Sequence, residues 1–164
     1  KALDGWAGEK WLDVRRLDIL MPIMEARMDI ALHKGCDAID PDNMDAYSNK
    51  SGFPITKAHS IAYFKALANA AHERGLAIGL KNAMEMIPAV LPLMDFAVNE
   101  QCREYGECDT YKPVIAAGKP VFGIEYRGDP AKFCPEQNAM LHTTLKKYLS
   151  LNAFRVDCDK YRLK

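Results

Sequence analysis

Short apolar runs alternate with longer helical patterns along the 164-residue chain. Most of the runs are flanked by Gly, Pro, Asp or Asn, and they are mostly apolar, as is typical of parallel strands buried on both faces. They predict six strands, at Trp11–Arg15, Ala38–Asp40, Leu76–Leu80, Phe96–Val98, Pro120–Ile124 and Ala153–Val156.

Helical patterns lie between these runs. The first places Pro22 in an opening turn and stops at Gly35, and the second has Thr56 as its N-cap and stops at Gly75. Strands that alternate with helices indicate βαβ units and a parallel sheet. Three further helices are predicted near Met84–Met94, Tyr111–Ala117 and Glu136–Leu149.

The composition limits the classes of partner. The chain carries 22 basic and 22 acidic residues, so its formal net charge is zero. This balance argues against a nucleic-acid-binding protein that works by bulk electrostatic attraction. No apolar run approaches the ~20 residues of a membrane span, and no signal peptide is visible, as in a mature secreted protein. We therefore expect neither a nucleic-acid nor a membrane partner.

Five cysteines stand at positions 36, 102, 108, 134 and 158. No C-x-x-C pair occurs and no histidine lies at ligand spacing from a cysteine pair, so the spacing does not indicate a zinc site. Cys102 and Cys108 suit a small disulfide loop, Cys134 and Cys158 suit a bridge between two later segments, and Cys36 is left over. We expect an oxidising, extracytoplasmic location; free, partly buried thiols are the alternative.

Polar side chains follow all six predicted strands, at the ends that form the active site of a β/α barrel. The excess is acidic, which leaves three uses open: a divalent-metal site, the carboxylate pair of a glycoside hydrolase, or attraction of a cationic substrate. No D-x-D-x-D-G loop and no histidine pair is present, so we predict no metal and no cofactor.

At these residues the sequence resembles glycoside hydrolase family 114, the endo-α-1,4-polygalactosaminidases and their relatives. The similarity covers about residues 5–127 and is weaker from there to Lys164. The stretches that carry it are Gly5–Arg15, Asp40–Tyr47, Gly52–Thr56, Gly75–Asn82, Phe96–Cys102 with Tyr105 and Cys108, and Ala117–Tyr126.

The resemblance implies a secreted enzyme that cuts α-1,4-linked galactosamine polymers internally, such as the deacetylated galactosaminogalactan of fungal biofilms. It implies Asp42, in Asp-Pro-Asp-Asn, as the nucleophile and Glu100, in Asn-Glu-Gln-Cys, as the general acid/base. Glycosidic cleavage needs two such carboxyl groups, so the chemistry of the residues agrees. Asp40 stands where relatives often have Glu, which keeps the charge.

The other strand-end residues are predicted to bind a cationic polysaccharide: Asp13, Arg15, Asp40, Asn43, Asp45, Tyr47, Lys81, Asn82, Asn99, Gln101, Glu125 and Tyr126. Four sets also have a structural interpretation. These are Asp45 as a loop cap, Lys81 paired with Asp42 or Asp13, Glu125 paired with Arg127 or Arg15, and Asp13 paired with Arg15. The four histidines fall on predicted helices and are expected to be surface or packing residues.

The expected fold class is α/β, of the (β/α)8 TIM-barrel type, here an incomplete barrel of about six β/α units that correspond to strands 3–8. Such a barrel normally takes about 250 residues, and six strands do not close eight. We expect residues 1–164 to be a single domain, a fragment of a longer chain. A second polypeptide that completes the barrel, or a natural short relative, are the alternatives.

Two other functions remain open beside the polygalactosaminidase. One is a non-catalytic carbohydrate-binding or effector-like protein on the same scaffold, since a barrel that lacks two strands could bind a glycan without cleaving it. The other is hydrolysis of a different polysaccharide. Release of oligosaccharides from a galactosamine polymer would separate these functions.

Overall fold

The computed structural model describes residues 1–161. The chain divides into two compact units, unit 1 at Lys1–Met94 and unit 2 at Asp95–Lys164. Each unit contains parallel strands joined through helices, so the predicted α/β class is confirmed. Each unit is described in turn.

Unit 1 contains two long helices and one short parallel strand pair. β1 and β2 pair with Ala38 opposite Ala77 and Ile39 opposite Ile78. Its core includes Phe64, Ala68, Ile78 and Leu80, none of which is exposed. The elements are α1 (Leu17–His33), β1 (Ala38–Ile39), α2 (Lys57–Glu73), β2 (Ala77–Lys81) and α3 (Ile87–Val90), with 3-10 turns at Ala46–Ser48 and Met84–Met86.

The predicted start of α2 is confirmed. The His59 N–H donates to Thr56 Oγ1 at 3.4 Å and the Thr56 N–H donates to His59 Nδ1 at 3.1 Å. Both N-terminal donors are thereby satisfied in a reciprocal capping box. Gly75 follows the helix with a φ of +71°, the left-handed conformation that glycine adopts at helix ends.

Helix α1 begins earlier than the sequence predicts, at Leu17, with Pro22 inside the helix. Leu20 and Met28 are buried, whereas Ile19, Ile23 and Ile30 are about half exposed. An ion pair between Arg74 Nε and Asp29 Oδ1, at 2.6 Å, joins the end of α2 to α1. Past α1 lies Cys36, which is exposed and free.

Unit 2 is built on a continuous strand register. β3 and β4 pair in parallel over four positions and β4 and β5 over five, from Val121 opposite His142 to Glu125 opposite Lys146. The elements are β3 (Phe96–Glu100), α4 (Cys102–Tyr105), α5 (Lys112–Ala116), β4 (Val121–Glu125), α6 (Pro130–Ala139), β5 (His142–Lys146) and β6 (Val156–Asp157), with 3-10 turns at Cys108–Tyr111 and Cys158–Tyr161.

Both predicted disulfides are present in unit 2, Cys102–Cys108 and Cys134–Cys158. Cys134 and Cys158 are fully buried and form a small core with Phe133, against which Tyr161 packs. The second bridge therefore ties α6 to the last described turn of the chain.

The strand predicted at Trp11–Arg15 is wrong. Lys10 makes an isolated antiparallel bridge with Ala2, and the residues after it turn into α1. Arg15 donates from its backbone and its side chain to Asp13, and this local bonding bends the segment instead of extending it.

The helix predicted at Glu136–Leu149 is also wrong. Helix α6 ends at Ala139, and Leu141 has a φ of +62°, after which the chain runs as β5. His142 is consequently a buried strand residue, not a helical one. β-branched Thr143 and Thr144 favour a strand, and pairing with β4 decides the outcome.

The last predicted strand is shorter and runs the other way. β6 covers Val156–Asp157 and pairs with β5 in an antiparallel arrangement, so it returns along β5 instead of adding a β/α unit. The remaining predicted strands agree with β1, β2, β3 and β4 to within two residues.

Candidate active site

Asp42 lies on an exposed turn after β1. Its side chain is 64% exposed, and its Oδ1 lies 3.3 Å from Lys81 Nζ, at the end of β2. The Asn43 N–H donates to the same oxygen at 3.0 Å. Asn43 has a φ of +56°, a conformation that asparagine adopts more readily than most residues. The turn and Lys81 together fix the orientation of the carboxylate.

A cavity of about 530 Å³ lies beside Asp42 within unit 1. Its polar wall includes Asp40, Asp42 and Asn43, and its apolar wall includes Met28 and Tyr63. The volume is in the range of small-ligand sites, and this wall offers both carboxylates and apolar surface to a ligand.

Asp13 and Arg15 pair with each other. The guanidinium donates to both carboxylate oxygens, with Nε–Oδ1 and Nη2–Oδ2 distances of 2.7 Å. The hydrogen bond from Arg15 is the largest of the effects that lower the pKa of Asp13. Asp13 and Arg15 therefore form the ion pair that was the structural alternative to substrate binding.

The Asp45 side chain bonds within its own loop, although it caps no backbone N–H of the turn that follows. Asn49 Nδ2 donates to Asp45 Oδ2 and to the Asp45 carbonyl, both at 3.0 Å. Tyr47, in the same loop, is half-buried, and burial with the nearby Glu85 and Asp45 charges raises its pKa to about 12. Tyr47 therefore presents a neutral phenol at physiological pH.

The end of β2 holds two consecutive non-glycine residues in the left-handed region. Asn82 has a φ of +47° and Ala83 a φ of +44°. Such residues store of the order of 1–3 kcal/mol of strain each and concentrate at functional sites. The strain lies directly after Lys81, the partner of Asp42.

In unit 2, Glu100 ends β3 and is half-buried. The Tyr126 hydroxyl, just past β4, donates a hydrogen bond to Glu100 Oε1. Gln101 follows with a φ of +69°, and its N–H donates to the Ile124 carbonyl at 2.8 Å. The carboxyl ends of β3 and β4 thus hold Glu100 beside a phenol.

Glu104, in the short helix after Glu100, was not identified from the sequence as the partner of Arg127. Glu104 Oε2 accepts a hydrogen bond from Gln101 Nε2 at 2.7 Å, and Glu104 Oε1 lies 3.0 Å from Arg127 Nη1. The spacing of three residues between Gln101 and Glu104, at the start of a helix, was the available signal.

Asn99 does not reach the surface, contrary to its predicted role in binding substrate. It is 2% exposed, its Nδ2 donates to the Tyr111 hydroxyl at 2.8 Å, and its Oδ1 accepts from the Cys102 N–H at 2.7 Å. Alternation along β3 turns it inward, where it holds the start of α4.

Glu125 is likewise buried, at 1% exposure. It is therefore not placed to bind a sugar, as predicted, or to pair with Arg127 or Arg15, as the alternative held. Its Oε1 accepts from the Arg103 N–H at 2.8 Å, and Oε2 has no hydrogen-bond partner among residues 1–161. Burial is the main cause that raises its pKa.

One group of soft ligand atoms occurs in the described part of the chain. Atoms of Cys102, Cys108 and His142 lie within 4.8 Å of one another. Both sulfurs are joined in a disulfide, so they offer no thiolate to a metal. His142 Nδ1 lies 3.2 Å from Gln137 Oε1, and burial lowers the pKa of His142.

Known proteins resemble this chain in sequence and in fold. The model of the glycoside-hydrolase family GH114 matches residues 1–162. A crystal structure of Aspergillus fumigatus Ega3 in complex with galactosamine is 42% identical, with a TM-score of 0.84 over 95% of this chain and 67% of that chain. This likeness confirms the predicted β/α-barrel type of fold.

Two further proteins are more distant. The glycoside hydrolase domain of PelA from Pseudomonas aeruginosa is 12% identical, with a TM-score of 0.63 over 88% of this chain and 66% of that chain, which supports the fold alone. An uncharacterized protein of Deinococcus radiodurans is 31% identical over 124 residues, 65% of this chain. The chain spans about two fifths of that protein, since 40% of it is covered.

None of the helices in residues 1–161 combines the length and the apolar composition that crossing a membrane requires.

Proposed function

Because the chain belongs to the glycoside-hydrolase family GH114, we propose that it contributes an endo-acting hydrolase of α-1,4-linked galactosamine polymers. The observation that carries this proposal is the family match over residues 1–162. The 42% identity with Ega3, which was solved with galactosamine, supports the choice of sugar.

Asp42 and Glu100 are the two carboxyl groups that the reaction requires in this proposal. One carboxylic acid protonates the leaving oxygen and an ionised carboxylate attacks the sugar or activates water. Glu100 is the general acid/base, and the Tyr126 hydroxyl that contacts its Oε1 holds the carboxyl group in one orientation. A fixed orientation lowers the entropic cost of bringing the carboxyl group into its reactive geometry.

Asp42 is the nucleophile in this proposal. Its carboxylate is accessible, at 64% exposure, and Lys81 and the Asn43 N–H both contact Oδ1. Lys81 is only 12% exposed, so its ammonium group is held close to Asp42. Lys81 is therefore a positioning residue, as the ion-pair alternative suggests.

The substrate in this proposal is a polymer that contains unacetylated, cationic galactosamine, and the protein is secreted. Carboxylates on the wall beside Asp42 attract an ammonium group. The two disulfides of unit 2 support an oxidising location, because structural disulfides persist mainly outside the cytosol.

The test is incubation of the protein with a partially deacetylated α-1,4 galactosamine polymer, with released oligosaccharides measured by mass spectrometry. Asp42→Asn, which removes the nucleophile, and Glu100→Gln, which removes the general acid/base, should each lower the rate by about a hundredfold or more. Both substitutions keep the size of the side chain and remove its charge.

Matched substitutions away from the strand ends serve as controls. Asp29→Asn changes an aspartate on α1 that is paired with Arg74, and Glu136→Gln changes an exposed glutamate on α6; both should retain the rate. Undiminished cleavage by both the Asp42 and the Glu100 variants would refute the assignment. Binding of the polymer without cleavage would favour a carbohydrate-binding protein.

A further inference from the structure

Four large apolar side chains are exposed on one loop of unit 2, the segment 147–155 that joins β5 to β6 and is called the β5–β6 loop below. Tyr148 is 50% exposed, Leu149 69%, Leu151 48% and Phe154 36%. The Tyr148 and Phe154 rings stack in parallel, with centroids 4.0 Å apart and an angle of 16° between planes. Exposed apolar clusters of this kind mark interaction sites.

The β5–β6 loop is internally bonded. The Leu151 N–H donates to the Tyr148 carbonyl at 2.9 Å, the Phe154 N–H donates to Asn152 Oδ1 at 3.0 Å, and Lys147 Nζ donates to the Asn152 carbonyl at 2.7 Å. The antiparallel pairing of β5 with β6 holds both ends. The aromatic pair is thus in place before a ligand arrives, which lowers the entropic cost of binding.

The β5–β6 loop also begins at the edge of the sheet that carries Glu100. Lys146 lies opposite Glu125, and the Lys147 N–H donates to the Glu125 carbonyl at 3.0 Å. The next residue, Tyr126, donates to Glu100. Because neighbouring strands are spaced by about 4.8 Å, the ends of β3 and β5 lie about 10 Å apart. A polymer bound at Glu100 is long enough to reach this loop.

The charge of the β5–β6 loop differs from that of the strand ends. The sequence from Gln137 to Val156 contains no acidic residue, whereas Lys146, Lys147 and Arg155 are basic. A cationic amino sugar is disfavoured beside these charges, and an uncharged ring is not. Aromatic faces give such a ring apolar contact area at low conformational cost.

We infer that the stacked Tyr148–Phe154 pair is a binding platform for an uncharged hexose unit of the polymer, N-acetylated or without nitrogen. This inference rests on the proposed function and extends it. The carboxylates bind the amino sugar, and the Tyr148–Phe154 platform binds a neutral unit of the same polysaccharide. The protein therefore prefers a partially acetylated polymer over a fully deacetylated one.

The test measures binding of two α-1,4-linked galactosamine oligosaccharides, one fully N-acetylated and one fully deacetylated, by calorimetry. The protein carries Glu100→Gln so that no turnover occurs. Tyr148→Ala and Phe154→Ala should each weaken binding of the N-acetylated oligosaccharide about tenfold, as expected for loss of one aromatic contact. Tyr148→Phe should preserve binding, since it keeps the ring.

The matched control is Phe122→Ala, because Phe122 is also 41% exposed and packs against another ring, that of Phe96, at 5.7 Å. It lies inside β4, away from the carboxyl edge, and should leave both affinities unchanged. Unfolding midpoints of all variants are measured so that loss of fold is distinguished from loss of contact.

Three results would overturn the inference. Unchanged binding in both platform variants is the first, and an equal loss for the deacetylated oligosaccharide is the second. The third is loop-dependent binding to phosphatidylserine vesicles with no affinity for either saccharide, which would make the loop a membrane contact. If no polymer is cleaved but N-acetylated binding still requires Tyr148, the proposed function fails while the platform stands.

Discussion

Asp42 and Glu100 stand in contrasting surroundings. The Asp42 turn in unit 1 is exposed, and its carboxylate contacts Lys81 and the backbone N–H of Asn43. Glu100 in unit 2 is half-buried, next to a buried asparagine, and is followed at once by the Cys102–Cys108 bridge. In unit 1, helices pack around two strands that pair over only two positions. In unit 2, β4 and β5 pair over five positions, and two disulfides add covalent links.

The two carboxylates therefore depend on different forces. The Asp42 carboxylate is itself exposed, although its partner Lys81 is largely buried, and charges at the surface contribute little to stability, so Asp42 should be altered at small cost. Buried hydrogen bonds and disulfides contribute more, so changes near Glu100 should be felt by the whole of unit 2.

Removal of the Cys134–Cys158 bridge should have the largest effect on stability. The bridge closes a loop of 24 residues, for which chain entropy predicts a loss of about 3.5 kcal/mol in the free energy of unfolding. Cys134→Ser with Cys158→Ser is compared with Cys36→Ser, which removes only the free thiol. Hydrogen exchange followed by mass spectrometry should show faster exchange across unit 2.

Unit 1 can be followed separately by fluorescence, because Trp6 and Trp11 both lie in unit 1. Tryptophan fluorescence should therefore keep its urea midpoint when the Cys134–Cys158 bridge is removed. An equal shift of the fluorescence and exchange transitions would show that the units unfold together and would remove the contrast.

Asn99→Ala should have the next largest effect. It leaves the Tyr111 hydroxyl and the Cys102 N–H without their buried partner, at a cost of about 2 kcal/mol in the free energy of unfolding. Asp45→Ala removes one solvent-exposed hydrogen bond of the unit 1 loop, the one from Asn49 Nδ2 to Asp45 Oδ2, and should cost clearly less. Urea denaturation of both variants measures the difference, and equal costs would contradict it.

Two buried groups should affect the pH dependence of stability in opposite directions: Glu125, whose pKa burial raises, contributes stability that falls as the pH rises, and His142 contributes stability that falls as the pH drops. Burial lowers the pKa of His142 in the folded protein below the ordinary value of 6.5, so the unfolded chain binds this proton more readily. The contribution of His142 to stability should therefore fall as the pH drops below about 6.5, by at most about 1.4 kcal/mol per pH unit.

His142→Asn should flatten this slope between pH 5 and 7, measured by urea denaturation, whereas His33→Asn on exposed α1 should leave it in place. The same slope in the His142 variant would assign the effect to another group.

The smallest effect is expected for Arg15→Ala. The Asp13–Arg15 pair is at the surface, and exposed ion pairs contribute almost nothing measurable. Thermal unfolding should shift by less than about 2 °C. A larger shift would mean that surface charge pairs contribute measurably to the stability of unit 1.

The sequence predicted the elements whose signals are local. Thr56 and Gly75 bound α2 through capping and a left-handed turn, and the spacing of four cysteines predicted both bridges. The β5 strand was not predictable in this way, since His142–Lys146 follows a helical pattern without a proline or glycine between them. Pairing with β4, a contact distant along the chain, decides its conformation.

The candidate site was predictable to the extent that strand ends could be placed. Lys81 beside Asp42 was foreseen as an ion pair, because both follow strands. The inward positions of Asn99 and Glu125 were not, since the face of a residue depends on where its strand begins and a shift of one position reverses it.

Cys36 gives the molecule a single chemical handle. The other four cysteines are committed to disulfides, and Cys36 is exposed, so a maleimide dye or spin label added without reductant attaches at one known position in unit 1. Immobilisation through the same thiol would present every molecule on a sensor surface in one orientation, with Asp42 and the β5–β6 loop left chemically unmodified.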